Sequence, residues 1–329
     1  MKILITGGAG FLGKAIIQQL LQRGETVRTY SRGHYPELIE MGVETFQGDL
    51  NDSQTLNKAV ESCDAVIHVA AKAGIWGSYK SYYKSNVLGT KAVIQACLKT
   101  GVKRLVYTSS PSVVFGGENL SGVNESIPYP SSFLAAYPST KAEAEQIVLK
   151  ANSEQLQTVA LRPHLIWGPG DRHLVPKLIA RAKAAKLRFI GKDNPLVDTV
   201  YIDNAAEAHL NALDRLTPGS RICGKSYFIS QGEPIGIKDW VNSLLLAAKV
   251  PPVQKSIPYS VAYGAAYFFE TLYKGLRIEK DPPLTRFLVQ QLAKEHWFDI
   301  SAAREELGYQ PKVSIEEGMR RLSATLSKQ

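Results

Sequence analysis

The chain is short of cysteine, histidine and long apolar runs, and each shortage excludes something. It has 3 Cys and 6 His in 329 residues. Cys63, Cys97 and Cys223 are odd in number, far apart and outside any Cys/His pattern with metal-ligand spacing. Neither a disulfide framework nor a metal site is expected, and the thiols read as reduced and buried in a cytoplasmic protein. No run of about 20 residues escapes charged or polar breaks, so a membrane-spanning helix is not expected. Residues 1–6 look like a strand rather than a basic-then-apolar leader, so no signal peptide is expected either. Acid is in deficit as well: 30 Asp and Glu against 39 Lys and Arg give a net charge of +9. The basic residues are dispersed, without aromatic interleaving or a nucleic-acid motif, and no nucleic-acid partner is expected. An anionic cofactor or substrate, a membrane surface and an ordinary basic surface all stay open.

With 44% hydrophobic residues the chain can bury a large core. Strand-like runs fall at 2–6, 26–30, 43–48, 65–70, 104–109 and 158–167. Helix-period segments lie between them at 11–23, 53–61, 81–100 and 138–151. Apolar strands alternating with amphipathic helices imply an α/β protein with a parallel sheet covered on both faces. After about Gly168 short strands (188–190, 226–230) mix with helices (174–186, 204–216, 237–248). The expected architecture is a doubly wound Rossmann sheet in 1–168 and a smaller, mixed C-terminal substrate lobe in 169–329, interleaved with the sheet.

The opening run, Lys-Ile-Leu-Ile-Thr-Gly-Gly-Ala-Gly-Phe-Leu-Gly, carries the strongest local signal. Gly7, Gly10 and Gly13 have the spacing of a dinucleotide-binding turn between a strand and a helix. One glycine makes the tight turn, one lets backbone approach a pyrophosphate, and one lets helix pack on strand. Phe11 and Leu12 open that helix.

Tyr137-Pro-Ser-Thr-Lys141 comes next. Four residues apart on a helix, Tyr137 and Lys141 share a face. A free phenol, with a pKa near ~10, is a poor acid–base group at neutral pH; a neighbouring ammonium would favour the phenolate. Thr108-Ser-Ser-Pro-Ser112 ends the fifth strand, where a hydroxyl can donate to a substrate carbonyl. Ser110 is the first candidate, with Ser109 and Ser112 as alternatives, against plain turn chemistry.

Taken together, in this order and spacing, the glycine turn, the serine cluster and Tyr-x-x-x-Lys resemble an extended short-chain dehydrogenase/reductase over essentially the whole chain. The resemblance implies a Ser110–Tyr137–Lys141 catalytic set. It also implies cofactor contacts from Asp49-Leu50, from Ala70, Ala71 and Lys72 after strand four, from Asn86, from Thr108, and from Pro163 beside the nicotinamide. NAD enzymes carry an acid at the end of strand two. Here that strand ends Thr-Tyr-Ser31-Arg32, a pair that can hold a 2′-phosphate, so NADP is expected over NAD. The alternative is that Arg32 stacks on adenine and either cofactor serves.

Leu161-Arg-Pro-His-Leu-Ile-Trp-Gly-Pro-Gly170 is similar to the 3β-hydroxysteroid dehydrogenase-like branch, which includes bacterial 2-alkyl-3-oxoalkanoate reductases. Tyr107–Val114 and Ala70–Tyr79 are especially similar to the latter. That implies interconversion of ketone and secondary alcohol on a hydrophobic 3-oxo or 3-hydroxy substrate, a β-keto acid or a sterol-like molecule. A nucleotide-sugar epimerase or dehydratase on the same scaffold is the alternative. In that branch an asparagine usually stands where this chain has Leu165. Trp76, Phe115 and Trp167 are candidate walls of an apolar pocket, and Lys72 and His164 candidate partners of a substrate carboxylate. Segment 257–276, with Tyr259, Tyr263, Tyr267, Phe268, Phe269 and Tyr273, reads as a helix. It either closes the pocket or rests on the inner face of a membrane. A homodimer through the helices holding Asn86 and Tyr137 stays open.

Overall fold

The computed structural model describes residues 1–327. In chain order, the first half comprises β1 (Lys2–Thr6), α1 (Phe11–Gln22), β2 (Thr26–Ser31), α2 (Pro36–Glu40), β3 (Glu44–Gln47), α3 (Ser53–Val60), β4 (Ala65–His68) and α4 (Tyr79–Tyr82). A π-helical stretch (Tyr83–Leu88) then runs into α5 (Gly89–Thr100) and β5 (Arg104–Thr108). A 3-10 turn (Pro111–Val114), β6 (Leu120–Val123), α6 (Ala136–Lys150), β7 (Gln157–Pro163) and β8 (Ile166–Trp167) follow. The remainder is α7 (Leu174–Lys183), β9 (Phe189–Ile190), β10 (Leu196–Val197), β11 (Val200–Tyr201), α8 (Ile202–Arg215) and β12 (Lys225–Ile229). It closes with β13 (Ile235–Gly236), α9 (Ile237–Ala247), β14 (Ser256–Ile257), α10 (Tyr259–Gly275), α11 (Arg286–Ala293), β15 (His296–Phe298), α12 (Ser301–Leu307) and α13 (Ile315–Leu326). Among the described residues, no helix is long and apolar enough to cross a membrane.

Seven strands form one sheet in the order β12-β7-β5-β4-β1-β2-β3, every neighbouring pair parallel. Alternation along the strands sends Ile3, Ile5, Ile67, Val106 and Leu161 into one core, with Ile16 and Ile17 of α1 and Leu210 and Leu213 of α8. Leu4, Val66, Leu105 and Ala160 enter a second core with Leu56, Val93 and Val148. Strand order reverses at β1, between β4 and β2, and that switch point opens a crevice at the carboxyl ends of the strands. The result is the doubly wound α/β fold the sequence pattern implies. A smaller mixed sheet, β13-β10-β15-β6, stands beside it.

The strand near 226–230, from the C-terminal part of the chain, is β12, the edge of the main sheet, and α8 returns with it to cover α1. Two details differ from the sequence pattern. The apolar run 158–167 is not one strand: the backbone breaks at Leu165, in the left-handed region (φ +42), and restarts as β8. The helix expected over 81–100 starts at Tyr79 and contains the π stretch.

One ion pair joins α6 to β7. Glu145 on α6 and Arg162 on β7 are almost fully buried. Arg162 Nη2 donates to Glu145 Oε1 at 2.6 Å and Nε to Oε2 at 3.0 Å. The Tyr129 hydroxyl donates to Oε1 at 2.6 Å, and the guanidinium lies 5.0 Å from the Phe228 ring centroid. A buried pair stripped of one partner leaves an uncompensated charge. Glu145→Ala is therefore expected to cost ~3–5 kcal/mol of stability, read from the urea midpoint. A loss below about 1 kcal/mol would contradict this account.

Candidate active site

The crevice is built first from the glycine turn. Gly7 has φ +72. Its N–H donates to the Tyr30 carbonyl at 3.1 Å, and its own carbonyl accepts from Gly10 N at 2.9 Å. A Cβ on Gly7 would lie 2.9 Å from Ala70 Cα, and one on Gly13 only 2.4 Å from the Gly7 carbonyl oxygen. Only glycine lets β1, β4 and α1 meet this closely. Gly10 caps α1 without a side-chain hydrogen bond, and no acid stands in the first turn. The first-turn N–H groups at Phe11, Leu12 and Gly13 are thus left to an anion, as a pyrophosphate requires.

At the rim, Ser31 is half-buried and Arg32 exposed, with the Arg32 carbonyl accepting from Gln47 Nε2 at 3.0 Å. The Asp49 carboxyl accepts from the Asn51 amide N–H (2.9 Å) and Nδ2 (2.7 Å). Those bonds, then the nearby Lys84 and Arg32 charges, hold its pKa below the usual range. Leu50 packs against Gly89, so close that a Cβ there would meet it at 2.8 Å. Ala70 N donates to Thr6 Oγ1 at 3.2 Å; Ala71 is exposed.

Asn86 sits inside the π stretch, buried. Its Oδ1 accepts from Lys72 N at 2.7 Å, and its Nδ2 donates to Lys72 O and to Thr140 Oγ1, each at 3.1 Å. One amide therefore fastens the loop after β4 to α6, between Tyr137 and Lys141. A π turn offers such an inward residue without ending the helix.

Lys141 is buried. Its Nζ donates to the Thr108 carbonyl at 2.6 Å and lies 4.2 Å from the Tyr107 ring centroid. Burial pushes its pKa down to about 7, with Glu145 acting the other way. Burial also pushes the Tyr137 phenol up, and a hydrogen bond with Ser110 counters it. This corrects the expectation that the ammonium lowers the phenol: here the lysine faces Thr108 and Tyr107, and burial leaves it only partly charged near neutral pH. The Ser110 and Ser112 hydroxyls are 2.9 Å apart. Thr108 turns its hydroxyl away from the crevice, to His209 Nε2 at 2.8 Å. His209 Nδ1 faces the Ala205 carbonyl (2.7 Å) and burial keeps the ring neutral, its pKa down at about 4, so Thr108 donates.

Ser110, Ser112, Tyr137 and Pro163 line one side of a cavity of about 180 Å³. Phe115, Leu120, Phe287 and Phe298 wall it, and His164, Leu165, Gln291 and His296 complete it. Phe115 and His164 are thus brought to the pocket and three other candidates, Trp167, Trp76 and Lys72, are not. Trp167 is fully buried, bonded to Thr199 Oγ1 at 3.0 Å and packed on Tyr201 and Trp240, because the break at Leu165 turns it into the core. Trp76 instead donates to the Ile278 carbonyl at 3.1 Å, edge-on to Tyr273. Lys72 spends its ammonium on Ser81 Oγ (2.6 Å) and the Tyr82 ring, away from the cavity. Nor does α10 line the cavity: Ala262, Ala266 and Glu270 face inward, and α11 supplies the pocket residues. Sequence reasoning missed Phe287, Gln291, His296, Phe298 and Asp198. They lie more than 80 residues from Ser110 and form no local motif.

The profile of the 3-beta hydroxysteroid dehydrogenase/isomerase family matches residues 4–258. The chain belongs to that family. Its relatives include a 2-alkyl-3-oxoalkanoate reductase from Stenotrophomonas maltophilia, 51% identical over 99% of both chains. A protein of the same name from Shewanella oneidensis is 48% identical over 98% of this chain and 85% of its own. Among solved structures, MoeE5 in complex with UDP-glucuronic acid and NAD superposes with a TM-score of 0.78, covering 100% of this chain and 99% of that one. At 22% identity that likeness establishes the shared fold. As a member of the family, the chain is an oxidoreductase of the extended short-chain dehydrogenase/reductase type.

The dry lysine has a thermodynamic signature. Between about 7 and its ordinary 10.5 the unfolded chain binds a proton at Lys141 that the native protein does not. Native stability therefore rises with pH across that window. Lys141→Met should raise the Tm of the cofactor-free protein by several degrees at pH 7, the gain shrinking toward pH 10. A Tm lowered at pH 7 would contradict it.

Proposed function

We propose that this family member is an NADP(H)-dependent ketoreductase/alcohol dehydrogenase for hydrophobic 3-oxo and 3-hydroxy substrates. The observation that carries the reading is the placement of Ser110 and Tyr137, two hydroxyls, on a cavity to which Phe115, Leu120, Leu165, Phe287 and Phe298 contribute apolar side chains. The names of the relatives support it, and so does the cradle at Gly7–Gly13, which suits a dinucleotide pyrophosphate. In that cradle the first turn of α1 holds the pyrophosphate and Asp49-Leu50 the adenine. Ser31 and Arg32, with no acid beside them on β2, take a 2′-phosphate.

A nicotinamide bound there would supply hydride to the ketone carbon, or receive it from the alcohol. Negative charge then grows on the substrate oxygen. The Ser110 hydroxyl donates a hydrogen bond to it, and Tyr137 donates a hydrogen bond and then its proton. Lys141, one turn along α6, held on the Thr108 carbonyl and with a pKa of about 7, can take up a proton when the phenolate forms. In the oxidative direction the Tyr137 oxygen is the base. A nucleotide-sugar reaction fits less well: no Lys, Arg, Asp or Glu is among the described residues lining the cavity, where a sugar diphosphate needs cationic partners.

The outer stripe of α10 also has a reading. Val261, Phe268, Leu272 and Leu276 are exposed on one face, close to Lys274, Arg277 and Lys280. We propose that this stripe touches an anionic lipid surface, from which oily substrates are drawn.

NADPH-dependent reduction of a 2-alkyl-3-oxo fatty acid, followed at 340 nm, tests the main reading, with NADH and a UDP-sugar in parallel. Turnover should favour NADPH, Arg32→Ala should erode that preference, and Tyr137→Phe should abolish turnover while cofactor binding survives. UDP-sugar conversion without ketone reduction would overturn the reading. For α10, Phe268→Glu should reduce co-sedimentation with phosphatidylglycerol vesicles several-fold; equal sedimentation of both proteins would contradict lipid contact.

A further inference from the structure

Five polar side chains from five elements form one row where the carboxyl ends of β1 and β4 meet the helices beyond them. They are Thr6 (β1), His68 (β4), Thr90 (α5), Asn86 (the π stretch) and Thr140 (α6), and all are buried. Ala70 N donates to Thr6 Oγ1 at 3.2 Å, and Thr6 Oγ1 is 2.6 Å from His68 Nδ1. His68 Nε2 is 3.1 Å from Thr90 Oγ1, which donates to the Asn86 carbonyl at 2.6 Å. From the same residue, Asn86 Nδ2 donates to Thr140 Oγ1 at 3.1 Å. That hydroxyl shares its own hydrogen between the carbonyls of Ala136 (2.8 Å) and Tyr137 (3.1 Å).

The directions are fixed by what each group can do. A carbonyl only accepts, so the single Thr90 hydrogen goes to Asn86. Thr90 must then accept from His68, whose hydrogen therefore sits on Nε2. Burial, and then the nearby Lys141 charge, keep the ring neutral, its pKa down at about 3. Nδ1 is thus bare and accepts from the Thr6 hydroxyl, which in turn accepts from Ala70. Every bond points the same way, from the edge of the glycine cradle toward α6. Aligned bonds in a dry setting polarise and strengthen one another.

Both ends of the row matter. Ala70 is the residue against which Gly7 packs, so closely that a Cβ there would lie 2.9 Å from its Cα. At the other end, α6 starts at Ala135 without a side-chain cap. Tyr137 sits in that uncapped first turn. Its backbone is held from within by the Thr140 hydroxyl, and Thr140 is held by Asn86. His68 itself is fully buried and does not line the cavity.

We infer that His68, as its neutral Nε2–H tautomer, is a positioning residue for Tyr137, acting through Thr90, Asn86 and Thr140. This rests on the ketoreductase reading, which gives Tyr137 its task. It adds a residue that no local motif ties to the chemistry and extends the Asn86 contact back to β1 and β4.

The test breaks one link at nearly constant shape. Thr90→Val removes the hydroxyl, and Thr90→Ser keeps it. In NADPH-dependent ketone reduction, kcat per NADPH-binding site should fall tenfold or more in Thr90→Val, with the NADPH Kd within twofold of the unaltered protein. Thr90→Ser should recover most of the loss. The pH profile of alcohol oxidation should also move to higher pH in Thr90→Val, because a displaced Tyr137 loses the Ser110 hydrogen bond that counters its burial. A merely less stable protein would keep its profile. Unchanged kcat, or equal losses in the valine and serine variants, overturns the inference. No ketone reduction by the unaltered protein overturns the ketoreductase reading instead. A second measurement needs neither variant nor substrate: 15N NMR of histidine-labelled protein should show His68 neutral at pH 7, with its hydrogen on Nε2. A charged ring or an Nδ1–H tautomer overturns the inference whatever the activity.

Discussion

The geometry of the candidate active site depends on the ion pair between Glu145 and Arg162. Tyr137 and Lys141 lie two turns and one turn before Glu145 on α6. Ser110 follows β5, and β5 pairs directly with β7, which carries Arg162. Without a fixed distance between α6 and β7, the phenol and the serine hydroxyl would not meet. Apolar packing alone tolerates small sliding; a two-point guanidinium–carboxylate bond in a dry setting does not. Glu145 also acts on the chemistry, since its charge partly offsets the loss of hydration at Lys141. One carboxylate therefore fixes the position of the helix and also tempers the effect of burial on its lysine.

A second constraint is the crowding at the switch point. β1, β4 and α1 approach until no Cβ fits at Gly7 or Gly13. The Asn86 amide then carries that positioning from the β4 loop to α6. The dinucleotide cradle and the Ser–Tyr edge are thus parts of one hydrogen-bonded frame rather than two sites placed side by side.

Much of the fold was legible because its signals are local. Apolar strands, the glycine turn and the helical spacing of Tyr137 and Lys141 are all read within about ten residues, and the parallel sheet follows from their alternation. The pocket was legible only where it borrows from those local motifs, at Ser110, Ser112, Phe115, Tyr137, Pro163 and His164. Its other half comes from residues 287–298, which reach it through a second sheet with two- to four-residue strands too short to leave a period. Trp167 shows the same limit in reverse. An aromatic residue just past the strand looks like pocket lining, but the left-handed backbone at Leu165 swings it into the core. The expected lowering of the Tyr137 phenol by Lys141 missed the larger effect for a related reason, because burial is a property of the assembled molecule.

The return of α8 and β12 to the main sheet has a consequence for how the protein is made. A chain emerging from the ribosome has six of the seven sheet strands once residue 163 is out. At that moment the free side of β7 has no partner, and α1 has no cover. Both wait for residues 202–229. The N-terminal half is therefore not a unit that matures on its own during synthesis. It must be kept from pairing its open edge with a neighbouring nascent chain until some sixty further residues arrive.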